Sequence, residues 1–463
     1  MKSREEDHDL TQGVIWRELL VFFLPIAAGM LFQQLYNTVD AVVVGKYVGT
    51  GALAAVGGST SQVINLCIGF FVALSGGASV VIAQLFGAAD REAVSRATHT
   101  AVLFSILMGA VLSIAGYYAA PPVLRLMGTP SETLAAAASY LRIYFSGTLF
   151  VLLFNMGSGI LRAVGDSRRP FLYLGACCAC NTALDLIFVL VLHWGVAGAA
   201  LATVFSQALS TFLVLLQLLR SRQPYRVIPR RLRIDGLLLR RMLRIGVPAG
   251  LQASMYNLSN LIVQVGVNTL GTAVVASWTM TGKIDGIYWA VSNALGTAVM
   301  SFVGQNYGAG KYDRIRKTVR VSLSLFMGVT LALIGLLLTI GRFGLQLFSN
   351  DPAVIACTWE MMHWLVPFYV AWTLIEVLSG TLRGVGDAIV PVVITAAGIC
   401  GLRVVWIGTV FVRFHTVVGF TLCYPVSWTI TALALVLYYR RGRWLHGKAA
   451  AEPENPPAQR ESP

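Results

Sequence analysis

Charge is what this sequence has least of. Only 12% of its 463 residues are Asp, Glu, Lys or Arg, whereas a soluble domain carries about 25%. Together with 56% hydrophobic residues and a mean hydropathy of +0.70, that shortage rules out an ordinary water-facing surface and puts the chain in lipid. Acids are scarcer than bases, 21 against 35, which leaves a formal net charge of +14. The bases lie between apolar runs, where they anchor topology against anionic lipid, and this argues against nucleic acid as a partner. Cysteine is sparse too, seven in all. Six of them (Cys67, Cys177, Cys178, Cys180, Cys400 and Cys423) sit inside apolar runs as small hydrophobes. Cys177-Cys178-x-Cys180 has no His or second Cys pair at ligand spacing, so zinc is not expected. His99, His193, His363 and His415 are scattered, and neither a G-x-S-x-G nor a phosphate loop occurs, so an enzyme is not expected. Met1 to Gln12 is polar and runs into a first apolar stretch too long and too polar for a cleaved signal sequence.

What the sequence has in abundance is apolar runs near the ~20 residues that a 30 Å hydrocarbon core requires. Twelve are expected. Those of the first half lie at roughly 18–44, 53–78, 95–118, 134–158, 170–192 and 196–219. Those of the second half lie at roughly 243–269, 274–300, 318–340, 357–380, 389–412 and 417–439. Bases crowd every second connection. Arg220, Arg222, Arg226, Arg230, Arg231 and Arg233 follow the sixth run, and Lys311, Arg314, Arg316 and Lys317 follow the eighth. The alternate connections carry single bases such as Arg125 and Arg342. The positive-inside bias therefore puts both termini in the cytoplasm of a cell-membrane protein. Residues 452–463 are polar and Pro-rich and read as a disordered tail.

The halves repeat. Leu161-Arg162-Ala163-Val164-Gly165-Asp166 returns 221 residues later as Leu382-Arg383-Gly384-Val385-Gly386-Asp387. Gln84-Leu85-Phe86-Gly87-Ala88 returns at the same offset as Gln305-Asn306-Tyr307-Gly308-Ala309, and Gly49-Thr50 returns at 222 as Gly271-Thr272. Six runs per half make the two copies parallel, related by an axis along the membrane normal. The expected fold is all-α and polytopic, with twelve transmembrane helices in two pseudo-symmetric six-helix bundles. The first bundle covers 1–219, a basic linker 220–242, the second bundle 243–441 and the tail 442–463.

Polar residues inside the runs point to function, because a carboxylate at mid-membrane costs at least ~2.5–3.5 kcal/mol and needs a partner, a proton or a cation. Asn181 and Asp185 are four apart and share a helix face. Gln33, Tyr36, Asn37 and Asp40 form one stripe in the first run; Thr203, Ser206, Gln207 and Ser210 form another in the sixth. Counting 1.5 Å per residue puts Asp40 ~6 Å, and Asp185 and Thr203 ~10 Å, below the outer helix ends. Two carboxylates, an amide and a hydroxyl in one layer suit Na⁺ or a shared proton. At the 221 offset, Asn181 and Asp185 become Leu402 and Trp406, so ion chemistry is expected in the first bundle alone. The second bundle has Gln252, Tyr256, Asn260 and Gln264 in its first run, then Lys283, Asp285, Glu376 and Arg403. These read as cavity lining or internal ion pairs, Arg403 with Glu376 or Asp285 being the expected pair. Trp278, Trp289, Trp364, Trp372 and Tyr36 offer surfaces for flat cations.

Twelve runs in two halves, Asp40, Asn181-x-x-x-Asp185, Thr203 and the paired Leu-Arg-x-Val-Gly-Asp and Gln-x-x-Gly-Ala loops together resemble the multidrug and toxic compound extrusion (MATE) transporters. The resemblance runs from about Val14 to Arg441. It implies that Asp40, Asn181, Asp185 and Thr203, with Asn155, form a cation-coupling site, the first four being ligands if the ion is Na⁺. Gln33, Tyr36, Asn37, Gln252, Tyr256, Lys283, Asp285, Glu376 and Arg403 would then line a substrate cavity. Some branches use an acid in the seventh run, which is absent here, so the chain looks closer to the bacterial DNA-damage-inducible-like branch, with H⁺ the favoured ion. The implied activity is H⁺- or Na⁺-coupled antiport of organic, often cationic, compounds by a monomer, with no cofactor and with small molecules and lipid as partners. The alternative is a flippase for lipid-linked oligosaccharides, which would want a wide, basic central cavity.

Overall fold

A computed structural model describes residues 9–346 and 351–442, and among these there is helix and no strand. Long apolar runs with few β-breaking turns satisfy every backbone group internally, which lipid demands. We label the long segments in chain order: α1 (Ile15–Val48), α2 (Ala55–Gly87), α3 (Arg91–Leu126), α4 (Ser131–Ser146 with Thr148–Ala163), α5 (Arg168–Val191), α6 (Gly195–Arg220), α7 (Gly236–Asn268), α8 (Thr272–Gly308), α9 (Tyr312–Leu345), α10 (Pro352–Gly384), α11 (Ile389–Phe414) and α12 (Val417–Arg440). Ten of these are long and apolar enough to cross a membrane, and the bent α4 makes eleven. α7 follows the same hairpin order but is too polar to join them, with Arg240, Arg241, Arg244, Gln252, Asn257, Asn260 and Gln264 along its length. Most segments run past the expected apolar windows. α2, for example, reaches Gly87 rather than residue 78.

α4 bends by 46° at Gly147. There a Cβ would come within 2.6 Å of Val204 on α6, so the missing side chain lets the two helices meet. The repeat is visible in geometry. Gly165 and Gly386 adopt φ of 93° and 89° at matching turns, and Asp166 and Asp387 each donate a backbone N–H over 2.9 Å to Leu161 and Leu382. Only glycine takes such a φ without strain.

The two halves meet tightly at the end that carries the termini and the basic connections. Every residue from Gly77 to Gln84 on α2 and from Ser301 to Asn306 on α8 is buried there. The contact is reciprocal. A Cβ on Gly87 would overlap the carbonyl oxygen of Gln305, and one on Gly308 would overlap that of Gln84. The Gln84 amide donates to Gly384 O (2.9 Å) and the Gln305 amide to Ala163 O (2.7 Å). These partners are themselves 221 residues apart. A strap, Asp9 to Gly13, lies across this clasp: Leu10 N donates to Gln305 Oε1 (3.1 Å), and Lys311 Nζ donates to Thr11 O (2.9 Å). The basic connection is also docked, since Ile228 N donates to Nε2 of buried His99 on α3 (3.0 Å). Away from this end α2 and α7 stay packed, a Cβ on Gly246 meeting Leu74 O at 2.6 Å and one on Gly250 meeting Phe70 at 2.8 Å, with open space beside them. The expected tail lies beyond residue 442, outside the described residues.

Candidate functional site

In the first half, α1 and α5 each widen from α-helical to π-helical turns near an acid: Val44–Val48 after Asp40, and Leu186–Val191 immediately after Asp185. Such wide turns recur at functional sites because they re-aim side chains without ending the helix. Asp185 and Asn181 are fully enclosed, one turn apart on α5. Both carboxylate oxygens of Asp185, both amide atoms of Asn181 and Oδ1 of Asp40 are buried without a hydrogen-bond partner. Buried polar atoms are normally satisfied, so five orphans on three side chains mark this spot as poised for something else. Asp40 is near enough to act electrostatically on Asp185, and both act on Tyr140, whose hydroxyl meets the Thr203 side chain. Asp40, Asp185, Thr203 and Tyr140 therefore converge, from α1, α5, α6 and α4.

A cavity of about 920 Å³ opens beside this cluster, between the halves. Asp40, Thr203 and Asn155 stand on its wall with Gln33, Tyr36 and Asn37. Asn155 also donates to Val151 O at 2.8 Å. Asn181 and Asp185 are not on the wall; both are fully buried. Three-residue His, Cys, Asp or Glu groupings fit for a metal are absent among the described residues.

A second cavity of about 620 Å³ lies mostly against the second half and adjoins the first, the two sharing Ala73, Ala249, Trp289, Asn293, Glu376 and Arg383 on their walls. Gln252, Tyr256, Asp285, Glu376 and Arg403 face it, as do Asn260 and Gln264. Lys283 does not: it is exposed on another face of α8, two positions from Asp285, which on a helix turns it well away. The expected pairing of Arg403 with Glu376 or Asp285 is also corrected. Glu376 Oε1 is 3.4 Å from Arg383 Nη2, seven residues along α10, and Asp285 accepts a hydrogen bond from the Tyr369 hydroxyl. Arg403, only 4% exposed, donates to Ser427 Oγ (3.4 Å) and Asn260 Oδ1 (3.3 Å), and its guanidinium lies 3.9 Å from the Tyr424 ring centroid. The reason is local. α11 widens at Ala396–Gly401 and again at Ile407–Phe411, turning Arg403 toward α7 and α12.

Trp278, Trp289 and Trp372 line this cavity, while Trp364 is exposed elsewhere. Trp428 and Tyr424, from α12, complete the aromatic wall and were missed in the sequence because they look like ordinary packing in an apolar run. Trp289 meets Trp372 edge-on at 4.6 Å, and Trp372 meets Trp428 at 5.8 Å. Arg383 and Tyr140 were missed as well. Their signal was the repeated Leu-Arg motif in one case and nothing in the other.

Comparison with known proteins fits this architecture. The sequence model of the MatE family matches residues 25–187 and 248–407, one block in each half. The chain is 30% identical over 438 residues to the probable multidrug resistance protein YoeA of Bacillus subtilis, covering 92% of this chain and 94% of that one. It is 25% identical over 384 residues to a protein of Shewanella oneidensis named FAD transporter, covering 80% of each. A solved structure described as the outward-facing conformation of a multidrug resistance MATE family transporter superposes with a TM-score of 0.87 at 24% identity, covering 96% of this chain and 99% of that one.

Proposed function

Because the chain belongs to the MatE family of multi-pass membrane transporters, we propose that it exports small organic compounds in exchange for H⁺ or Na⁺, the exchange centred on Asp40 and Asp185. The observation that carries this reading is the set of orphaned polar atoms on Asp40, Asn181 and Asp185 beside an open cavity. Two carboxylates in low dielectric repel unless a proton or a cation sits with them, so occupancy by a small ion stabilises the pair strongly. Asp40 on the cavity wall receives the ion, and the buried Asp185 shares the charge. Thr203 and Asn181 supply a hydroxyl and an amide oxygen of the hard type that Na⁺ prefers.

With the basic connections in the cytoplasm, the clasp of Gly87 and Gly308 closes the inner side and the cavities open outward. In the exchange, an external ion enters the Asp40 site and lowers affinity for cargo. The halves then part at the clasp, release the ion inside and load the next compound. A potential of 100 mV supplies ~2.3 kcal/mol per charge carried, enough to bias the cycle. A flippase would present a basic central cavity; here Asp40 and Glu376 balance Arg162 and Arg383 on its wall. The test is ethidium efflux by the full chain in proteoliposomes under imposed pH or Na⁺ gradients. Efflux driven by one of these gradients supports the reading, and transport indifferent to both sinks it.

A further inference from the structure

Arg403 is a buried cation without a carboxylate. Its side chain bonds only to a hydroxyl and an amide, and among the described residues no Asp or Glu oxygen lies within ion-pair distance of it. The two acids on the same cavity wall are engaged elsewhere, Glu376 by Arg383 and Asp285 by the Tyr369 hydroxyl. A charge enclosed in a membrane protein is costly unless something of opposite sign joins it, and unpaired ones mark substrate paths. Arg403 also faces a cavity whose size lies within the roughly 300–1,000 Å³ of small-molecule pockets. Part of the wall is aromatic. Trp278, Trp289, Trp372 and Trp428 provide flat apolar faces, and Tyr424 holds the guanidinium plane from beneath. With Nε donating to Ser427 and one Nη1 hydrogen to Asn260, Nη2 and the second Nη1 hydrogen remain for an incoming planar or tetrahedral anion. In the larger cavity the orphaned charge is of the other sign, Asp40 Oδ1 being buried without a hydrogen-bond partner.

We propose that the second-half cavity binds flat aromatic compounds bearing a carboxylate, sulfonate or phosphate group, with Arg403 taking the anionic group and the indoles stacking on the ring. This rests on the transporter reading but names a cargo class opposite in charge to the organic cations that the first-half acids suggest. A cargo with ring and anion at opposite ends would bridge the aromatic wall and α11.

The test compares two probes that share one ring and differ in one phosphate, flavin mononucleotide and riboflavin. Binding to the purified full chain is read by flavin fluorescence, which stacking on Trp quenches. The wild type should bind flavin mononucleotide at least about tenfold more tightly than riboflavin, as a charge-assisted pair implies. Arg403→Gln should erase that advantage while leaving riboflavin affinity unchanged. Arg403→Lys should keep part of it, and Lys283→Gln, outside the cavity, should keep all of it. Equal affinity for the two probes in the wild type, no binding of either, or equal weakening of both in Arg403→Gln would overturn the proposal. Should Arg403→Gln fail to fold, the wild-type ratio decides: an advantage that shrinks as salt rises supports the proposal, and none refutes it. Ethidium efflux by the wild type, measured alongside, reports on the transporter reading separately.

Discussion

The two halves of this protein share a backbone plan and differ in how they treat buried charge. In the first, Asp40 and Asp185 come together from separate helices and have orphaned oxygens. In the second, Glu376 has Arg383, Asp285 has Tyr369, and Arg403 has a ring beneath it. The first arrangement leaves carboxylate oxygens without partners. The second largely satisfies its own acids and keeps one cation for whatever enters. The repeated scaffold carries different polar residues in its two copies.

That contrast can be broken most forcefully at the acids. Asp40→Asn or Asp185→Asn should reduce efflux to vesicle leak with membrane level unchanged. Thermal stability should hold or rise, because an unpaired buried carboxylate gives way to a neutral group. Glu376→Gln should do the opposite, retaining measurable efflux while lowering stability by about 1–3 kcal/mol, because it leaves Arg383 buried without its carboxylate. Equal loss of efflux from both halves would erase the distinction. Gly308→Ala comes next: its Cβ meets backbone that cannot move aside, so a cost of about 1–3 kcal/mol in thermal unfolding is expected, with faster labelling of cysteines placed near Gln84. A double-mutant cycle on Glu376→Gln and Arg383→Gln should show coupling of about 0.5–3 kcal/mol, whereas Asp40→Asn with Arg162→Gln should be nearly additive.

The smallest effect belongs to the strap. Burial raises the Asp9 carboxyl, but hydrogen bonds from Thr11 and Gln12, with Lys311 nearby, outweigh it and hold the group below the ordinary aspartate range. A depressed folded value means that the strap gains stability above the unfolded value and loses it as pH falls through the folded one. Asp9→Asn should mimic the acid state at neutral pH, with faster amide exchange at Thr11 and Gln12 and unaltered efflux. Unchanged exchange at those amides would show that the carboxylate does not hold the strap.

Much of this was legible in the sequence where chemistry leaves a local trace. The 221-residue offset could be read because a glycine at positive φ and a glycine in backbone contact tolerate no other residue, so both motifs survive in both halves. The stripe through Gln33 and Asp40 and the Asn181–Asp185 pair could be read from helical spacing alone. What could not be read depends on which helices are neighbours. Arg403 was matched to acids by charge, but wide turns in α11 carry it to Tyr424 and Asn260. Lys283 is a cavity candidate as a charged residue inside an apolar run, yet it stands exposed on another face of α8. Trp428 gave no sign, since an indole in an apolar run looks the same whether it packs or lines a pocket. The run at 243–269 counts among the expected twelve, but the polar residues along α7 keep that helix outside the apolar set.

The clasp has a consequence for ancestry. Gly87 sits on Gln305 as Gly308 sits on Gln84, and each glutamine reaches the other half's Leu-Arg helix end. A contact whose members trade places under rotation works equally well between identical partners. A single-half forebear associating in pairs would already have owned this closure, before either pocket acquired its own chemistry. If so, the halves expressed as separate polypeptides should still find each other, and Gly87→Trp should keep them apart.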